Sequence, residues 1–231
     1  MIGDSTNPYY KLAMERMLFD ETRSGEAILF LWQNDNTIVV GRNQDVKSEC
    51  RLVEFLAEGG RIARRHSGGG AVYHDLGNLN YSVISRNNES DECSYQKVIM
   101  ESLLELGLQT EYNGRNDLLI EGRKFSGNAF YTNEDIRCQH GTLLVSSDIE
   151  RMTKLLTPDK EKLERNRVYS VASRVINLTE LLPGLTVKEV CQTIIRTTGA
   201  VRLEECFGER AMQHLVSCYS DKKWIYGRNF G

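Results

Sequence analysis

The sequence predicts an α+β fold built around a mostly antiparallel sheet that is flanked by helices. Three observations support this prediction. Short apolar runs typical of strands fill the first two thirds of the chain, and apolar residues at helical spacing dominate the last third. Short turn-rich segments, such as QNDN at 33–36, join neighbouring runs.

The first elements are a helix, two strands and a second, short helix. Asn7 can cap the first helix and Pro8 suits its first turn. Residues with apolar surface then recur at helical spacing: Tyr10, Ala13, Met14, Met17 and Leu18. The runs 27–32 and 37–41 are typical of two strands of a hairpin. A helix over 52–57 is expected to end at Gly59-Gly60.

The middle and last parts alternate between strands and helices. Segments 71–74 and 78–84 are predicted to form another pair of strands, and 95–107 an amphipathic helix. Segment 116–131 has the pattern of a strand, a turn at Glu121-Gly122 and a second strand. A further strand is expected over 140–146. Two more helices are predicted, one that Asp148 caps and one from the capping box Thr186–Glu189 to Gly199.

Composition narrows the class of protein. The 231 residues carry a net charge of −3 with a pI of about 5.9, which argues against a globally basic nucleic-acid binder. No apolar run approaches the roughly 20 residues that cross a bilayer, so no membrane partner is expected. The N-terminus lacks the basic and apolar regions of a signal peptide. The six cysteines form no CxxC pair, which indicates free thiols in a reducing cytoplasm.

The segment RRHSGGGAVYHDLGNLNYS, residues 64–82, is the first candidate site. Three successive glycines let backbone N–H groups approach a ligand and form an anion-binding nest. The two preceding arginines add permanent positive charge suited to phosphate or carboxylate. A mobile loop with incidental charges is the alternative. Neither GxxxxGK[ST] nor GxGxxG occurs, so any nucleotide is bound in another way.

Three further polar clusters follow. In 114–130, Asp117 begins one arm of the predicted hairpin and Lys124 the other, followed by the small polar run FSGNA. Glycine within a strand often marks close approach by a ligand or by another backbone, although a turn lysine is usually only solvated. His140 and Gly141 open a strand, where a lone histidine is more often structural. Segment 170–178 fits a loop that packs on the sheet.

Together these clusters resemble the lipoate–protein ligase A family. The resemblance covers nearly the whole chain and rests on six motifs in order: NPYYKLAMERMLF, FLWQNDNTIVVGRNQ, RRHSGGGAVYHDLGN, GRNDLLIEGRKFSGNA, HGTLLVSSD and SVASRVINLTELLPG. It implies a catalytic domain similar to biotin ligases and class II aminoacyl-tRNA synthetases, which is an α+β domain with a mixed, largely antiparallel sheet. It also implies a two-step reaction: ATP activates lipoate to lipoyl-AMP, and a lysine of a lipoyl-domain protein then accepts the lipoyl group.

The resemblance also implies residue roles. Lys124 would bridge the lipoate carboxyl and the α-phosphate through both steps, and Asp117 would help to bind Mg²⁺. The ATP and adenylate positions would be Arg65, Gly70, Ala71, Val72, Tyr73, Asn78, Asp117 and Lys124. The lipoate positions would be Trp32, Arg64, Ser67, Gly69, His74, Lys124 and His140. The acceptors would be E2 subunits of 2-oxoacid dehydrogenases or the glycine-cleavage H protein.

Alternatives from other classes remain. An octanoyltransferase of the same superfamily uses a cysteine nucleophile upstream of the GRK segment, where this chain has none; Cys138 lies after Lys124. A biotin ligase is disfavoured because GRGRxGR is absent. A non-catalytic lipoate-binding protein is disfavoured by the presence of Lys124, Asp117 and both arginines.

The expected domain organisation is one catalytic domain over 1–231, without the accessory C-terminal domain of many relatives. A truncated chain, a separately encoded accessory partner, or transfer of a preformed adenylate would each explain this difference. The activation step is therefore the one for which a partner protein is expected.

Overall fold

The structure is a computed structural model that describes residues 5–86, 92–114, 116–156, 175–201 and 207–227, apart from the side chains of 92–95. Segment 170–174 of the fourth predicted cluster lies outside these residues. The part of the chain described contains an antiparallel six-stranded sheet and a three-stranded sheet, with helices packed on both. The predicted α+β class is confirmed.

The large sheet has the strand order β1-β5-β9-β8-β7-β6. Its strands are β1 (Ala27–Trp32), β5 (Asn78–Arg86), β6 (Glu111–Tyr112), β7 (Asp117–Ile120), β8 (Arg123–Asn133) and β9 (Ile136–Leu144). The small sheet has the order β3-β2-β4, with β2 (Thr37–Val40), β3 (Arg61–Arg64) and β4 (Val72–His74). Strand β2 runs parallel to β3 and antiparallel to β4. The β2–β3 pair makes the arrangement mixed, as predicted.

Two predicted strand pairings are wrong. Strands β1 and β2 do not form a hairpin, because Phe30 pairs with Ser82 in the large sheet whereas Ile38 pairs with Ile62 and Tyr73 in the small one. Strands β4 and β5 likewise belong to different sheets. Every residue of β2 is buried. An apolar run of this kind indicates a buried strand but carries no information about its partner.

The helices are α1 (Pro8–Glu21), α2 (Val46–Glu49), α3 (Leu52–Ala57), α4 (Glu92–Glu105), α5 (Ile149–Leu155), α6 (Val187–Thr198), α7 (Glu209–Ser220) and α8 (Lys222–Tyr226). The predicted caps of α1 and α6 are confirmed. The Asn7 side chain accepts from the N–H groups of Tyr9 and Tyr10, and α6 has a complete capping box. None of the described helices is long and apolar enough to cross a membrane.

Strand β5 separates two apolar clusters. Leu79, Tyr81 and Val83 face the cluster that contains α4 and α6, whereas Ile84 belongs to the cluster of α1 and the small sheet. Because side chains alternate along a strand, the polar residues Asn80 and Ser82 share the face of Ile84. The large sheet therefore presents buried polar groups towards α1 and the small sheet, where the candidate site lies.

Candidate active site

A cavity of about 150 Å³ lies where the glycine loop, 68–70, meets the two sheets. It is lined by residues of α1, of strands β2 and β4 of the small sheet, and of strands β1, β5, β8 and β9 of the large sheet. The predicted site residues among its lining are Trp32, Arg65, Gly69, Gly70, Ala71, Val72, His74, Lys124 and His140. Three of the four predicted clusters, 64–82, 114–130 and 140–141, thus converge with Trp32 on one cavity.

Arg65 holds the glycine loop against the small sheet. One terminal nitrogen, Nη2, donates to the carbonyl oxygens of Gly68 and Gly70, each at 2.7 Å. The other, Nη1, donates to the Val39 carbonyl at 3.1 Å. Burial lowers the pKa of Arg65 to about 10, an effect that the nearby Glu15 carboxylate partly offsets. The guanidinium therefore remains a buried cation at neutral pH.

The loop keeps its backbone donors available. Among the described residues, none accepts a hydrogen bond from the N–H groups of Gly68, Gly69 or Gly70. Only Gly69 adopts a left-handed conformation, with φ of 89°. A Cβ at Gly68 or Gly70 would meet no atom within 4 Å. These N–H groups, beside the Arg65 cation, can therefore donate to an anionic ligand.

The second predicted cluster forms the hairpin β7–β8. Lys124 Nζ lies 2.7 Å from Asp117 Oδ1, and both side chains are partly exposed. The Ile176 N–H donates to the Lys124 carbonyl at 3.0 Å, which fixes the backbone of Lys124. A Cβ at Gly127 would lie 2.8 Å from Lys124 Nζ. Gly127 is therefore needed in the strand because it leaves room for the end of the lysine.

A buried polar network closes the opposite end of the cavity. His140 Nδ1 lies 2.9 Å from a carboxylate oxygen of Glu15, and its Nε2 lies 2.6 Å from Ser67 Oγ. Ser82 donates to Glu15 and accepts from Trp32 Nε1. Burial alone would raise the pKa of Glu15, but the charge of His140 and hydrogen bonds from His140 and Ser82 outweigh it and lower that pKa.

Two buried donors on the cavity wall have no partner. His74 Nδ1 accepts from Asn34 Nδ2 at 3.1 Å, which leaves Nε2 to carry the proton of the neutral ring. Among the described residues, neither His74 Nε2 nor Asn80 Nδ2 has a hydrogen-bond partner. Burial, and then the charges of Arg65 and His140, lower the pKa of His74 to about 3. A ligand with acceptor atoms would satisfy these donors.

Five predicted residues do not line the cavity. Ser67 and Asp117 lie one contact away, beside His140 and Lys124 respectively. Asn78 supports the wall, because its Nδ2 donates to Asn80 Oδ1 at 3.0 Å. Tyr73, which lies in β4 of the small sheet, instead packs edge-on against Phe55 of α3.

Arg64 is the fifth of these residues, and its guanidinium is bonded to backbone carbonyls of other segments. The predicted contact of Arg64 with lipoate therefore has no geometric support.

Sequence reasoning missed Glu15. It lies on the buried side of α1 at helical spacing from Leu12 and Phe19. A charged residue within an apolar helical stripe was the available signal, since such a residue is buried only when it is paired.

Two places could hold a metal ion. Ligand atoms of Glu15, Cys138 and His140 lie within 4.8 Å of one another, and this is the one such group among the described residues. Its carboxylate and imidazole are already paired with each other. Asp117 offers a partly exposed carboxylate next to Lys124, which fits the way Mg²⁺ combines one or two carboxylates with substrate phosphates.

Comparison with known proteins identifies the family. The sequence model described as "Lipoyl protein ligase A/B catalytic domain" matches residues 7–199. The chain belongs to this family. The segment matched by the lipoyl protein ligase model contains the glycine loop, the β7–β8 hairpin and every strand of the two sheets.

Solved structures agree with this assignment. The chain is similar to a bipartite lipoate protein ligase that was analysed with its E2 lipoyl domain from Thermoplasma acidophilum. The TM-score is 0.84 at 27% identity, over 100% of this chain and 96% of that one. It also resembles P. falciparum LipL1 in complex with lipoate, with a TM-score of 0.81 at 28% identity over 98% and 73% of the two chains. A third match is a lipoate-protein ligase A bound with ATP, with a TM-score of 0.80 at 26% identity over 96% and 95%.

Proposed function

We propose that this chain is a lipoate–protein ligase, which activates lipoate with ATP and transfers the lipoyl group to a lysine of a lipoyl-domain protein. The observation that carries the proposal is the convergence of Lys124, Arg65 and the unpaired glycine N–H groups on one cavity. The similar structures bound to lipoate and to ATP support the choice of substrates. The relative analysed with its E2 lipoyl domain supports the class of acceptor.

In the first step, the lipoate carboxylate attacks the α-phosphorus of ATP and pyrophosphate leaves. Two anions must approach each other, so fixed cations and donors have to offset their charge. Lys124 would bridge the carboxylate and the α-phosphate, and Arg65 with the glycine N–H groups would offset the phosphate charge. Asp117 would hold Mg²⁺, which neutralises phosphate charge when it is bound.

In the second step, the acceptor lysine attacks the acyl carbon of the mixed anhydride and AMP leaves. Lys124 keeps its interaction with the carbonyl oxygen and the phosphate, which positions both during the attack. The glycine loop covers the adenylate and limits its hydrolysis. We expect E2 subunits and the glycine-cleavage H protein as acceptors.

The cysteine route of an octanoyltransferase is less consistent with the site. Cys138 is fully buried, and burial, followed by the nearby Glu15 carboxylate, raises the pKa of its thiol well above the usual value. A thiol that resists ionisation is a poor nucleophile. A passive lipoate-binding protein would have no need for the Lys124–Asp117 pair at the cavity mouth.

Intact mass spectrometry of an apo lipoyl domain tests the proposal. One reaction contains this chain with lipoate, ATP and Mg²⁺, and the other contains the chain with synthetic lipoyl-adenylate. The lipoyl mass increment in both reactions supports a complete ligase. Modification from the adenylate alone would show a transferase whose activation step needs a separate partner. No modification in either reaction would reject the ligase, and an octanoyl-carrier donor would then be tested.

A further inference from the structure

The last two described helices, α7 and α8, lie outside the 7–199 segment that the family model matches. None of their residues lines the cavity. They nevertheless contact two residues that shortly precede the glycine loop, Arg64 and His66. These contacts give the segment a role that the family match does not assign.

Arg64 joins α8 to the loop that follows β2. Its Nε donates to the carbonyl oxygens of Trp224 and Ile225, both at 3.0 Å, and its Nη2 donates to Ile225 at 2.6 Å. Its Nη1 donates to the carbonyls of Gly41, Arg42 and Gln44 at 2.8–2.9 Å. The side chain is only 2% exposed. Among the described residues, no carboxylate forms an ion pair with this guanidinium.

The connection also runs from α8 back to the loop. Trp224 Nε1 donates to the Arg64 carbonyl at 3.0 Å. The Trp224 ring lies 4.8 Å from the His66 ring between centroids, and Tyr219 of α7 meets His66 edge-on at 5.5 Å. Residues on both sides of Arg65 are therefore held by the C-terminal helices.

The loop after β2, residues 41–44, connects the Arg64 side chain to the glycine loop. The Arg42 N–H donates to the Ser67 carbonyl at 2.9 Å, and the Arg65 N–H donates to the Val40 carbonyl at 3.1 Å. The backbones are so close that a Cβ at Gly41 would lie 2.3 Å from the Gly69 carbonyl oxygen. Displacement of residues 41–44 would therefore displace the glycine loop.

We infer that Arg64 and Trp224 are positioning residues. Their mutual contacts, which we call the latch, hold helices α7 and α8 against the segment that leads into the glycine loop and thereby set the nucleotide-facing geometry of Arg65. This inference rests on the proposed function for its ligand, ATP. The latch itself is a structural statement that can be tested without any activity.

The main variant is Arg64→Lys. It keeps the positive charge but loses the planar fork that reaches carbonyls on two sides. Trp224→Phe keeps an aromatic ring near His66 and removes the indole N–H that donates to the Arg64 carbonyl. The matched control is Arg196→Lys, which changes an arginine on the exposed surface of α6, where it pairs with Glu105.

Hydrogen–deuterium exchange on the full chain is the first readout. We expect Arg64→Lys to speed exchange of the hydrogen-bonded amides of Arg42, Gln44 and Arg65 about tenfold, and Trp224→Phe about threefold, since local opening reports the lost contacts. Exchange in β5 and β9 should stay at the wild-type rate, and Arg196→Lys should change neither region. Unchanged exchange of these three amides, or an equal rise in them and in β5 and β9, would overturn the latch. If Arg64→Lys does not fold, Trp224→Phe decides the question.

The kinetics of the variants form the second readout. We expect the KM for ATP to rise about tenfold in Arg64→Lys while the KM for the apo lipoyl domain changes less than about twofold, because only the nucleotide side is displaced. A purely structural role would lower the melting temperature without this split. If wild type neither binds ATP nor modifies the lipoyl domain, the proposed function fails, whereas the exchange result still tests the latch.

Discussion

The two ends of the cavity hold charge in different ways. At the mouth, Lys124 and Asp117 form an ion pair whose side chains are 38% and 23% exposed. At the closed end, Glu15 and His140 are buried, and Ser67 and Ser82 complete their hydrogen bonds. A half-exposed pair contributes little to stability and can exchange partners with a ligand, whereas breaking a buried pair is costly. The Lys124–Asp117 pair at the mouth is therefore suited to binding a ligand, whereas the Glu15–His140 pair at the closed end stabilises the fold.

The largest expected effect is on stability at the closed end. Glu15→Ala should lower the free energy of unfolding by about 3–5 kcal/mol, because it leaves His140 buried without its partner. Urea unfolding monitored by circular dichroism measures this. The control Glu105→Ala removes one partner of an exposed pair and should leave the free energy of unfolding almost unchanged. A loss below about 1 kcal/mol for Glu15→Ala would show that the two ends do not differ in this way.

At the mouth, the large effect should be on activity. We expect Lys124→Ala to reduce lipoyl-AMP formation by about a hundred- to a thousandfold, the usual effect of removing one electrostatic contact to a transition state. The fold should be retained. Chromatographic measurement of lipoyl-AMP reports the loss of activity, and the melting temperature reports whether the fold is retained. Lys154→Ala, in an exposed pair with Glu54, is the matched control. Normal lipoyl-AMP formation by Lys124→Ala would remove the lysine from its proposed role.

The buried histidines should make the protein sensitive to acid. Burial is the first cause that lowers the pKa of His66 to about 4 and that of His74 to about 3, whereas an unfolded histidine titrates near 6.5. Below pH 6.5 the unfolded chain therefore binds more protons than the folded chain. The free energy of unfolding consequently decreases as the pH falls from 6.5 towards the pKa values of the folded state.

For His74, the expected loss between pH 6.5 and pH 4 is roughly 2–3 kcal/mol. Urea unfolding at several pH values measures it. The variant His74→Gln should show a flatter dependence on pH over the same interval, whatever its absolute stability. Parallel pH profiles for the variant and the wild type would contradict the assignment.

The smallest expected effect concerns Cys138. Cys138→Ala should leave lipoyl transfer within about twofold of wild type and cost about 1 kcal/mol of stability, since only a small buried group is lost. Cys191→Ala, which removes a buried thiol from the other apolar cluster, is the control. Loss of transfer in Cys138→Ala alone would favour the cysteine route over the ligase.

Local structure followed closely from the sequence. The caps at Asn7, Asp148 and Thr186 appear as predicted, because each depends on side-chain contacts within a few residues. The turn at Glu121-Gly122 is also confirmed, with φ of 51° and 71° at its two residues. Pairing between strands could not be predicted in this way, because β1 and β2 are apolar on both faces and match several partners.

The candidate site could be predicted only in part, because only some of its residues are marked by local composition. Its loops carry composition signals that are visible in the sequence, such as three glycines after two arginines. Glu15 and Asn80 were missed, because their importance depends on what faces them across the fold.

The two adjacent arginines show where sequence information ends. The sequence shows that Arg64 and Arg65 shortly precede a flexible glycine loop. It does not show that Arg65 lines the cavity while Arg64 donates to the carbonyls of residues 224 and 225, a difference that arises in the folded chain. The physical reason is that local conformational preferences act over a few residues. Burial and pairing of a charged side chain depend on segments that meet only in the folded chain.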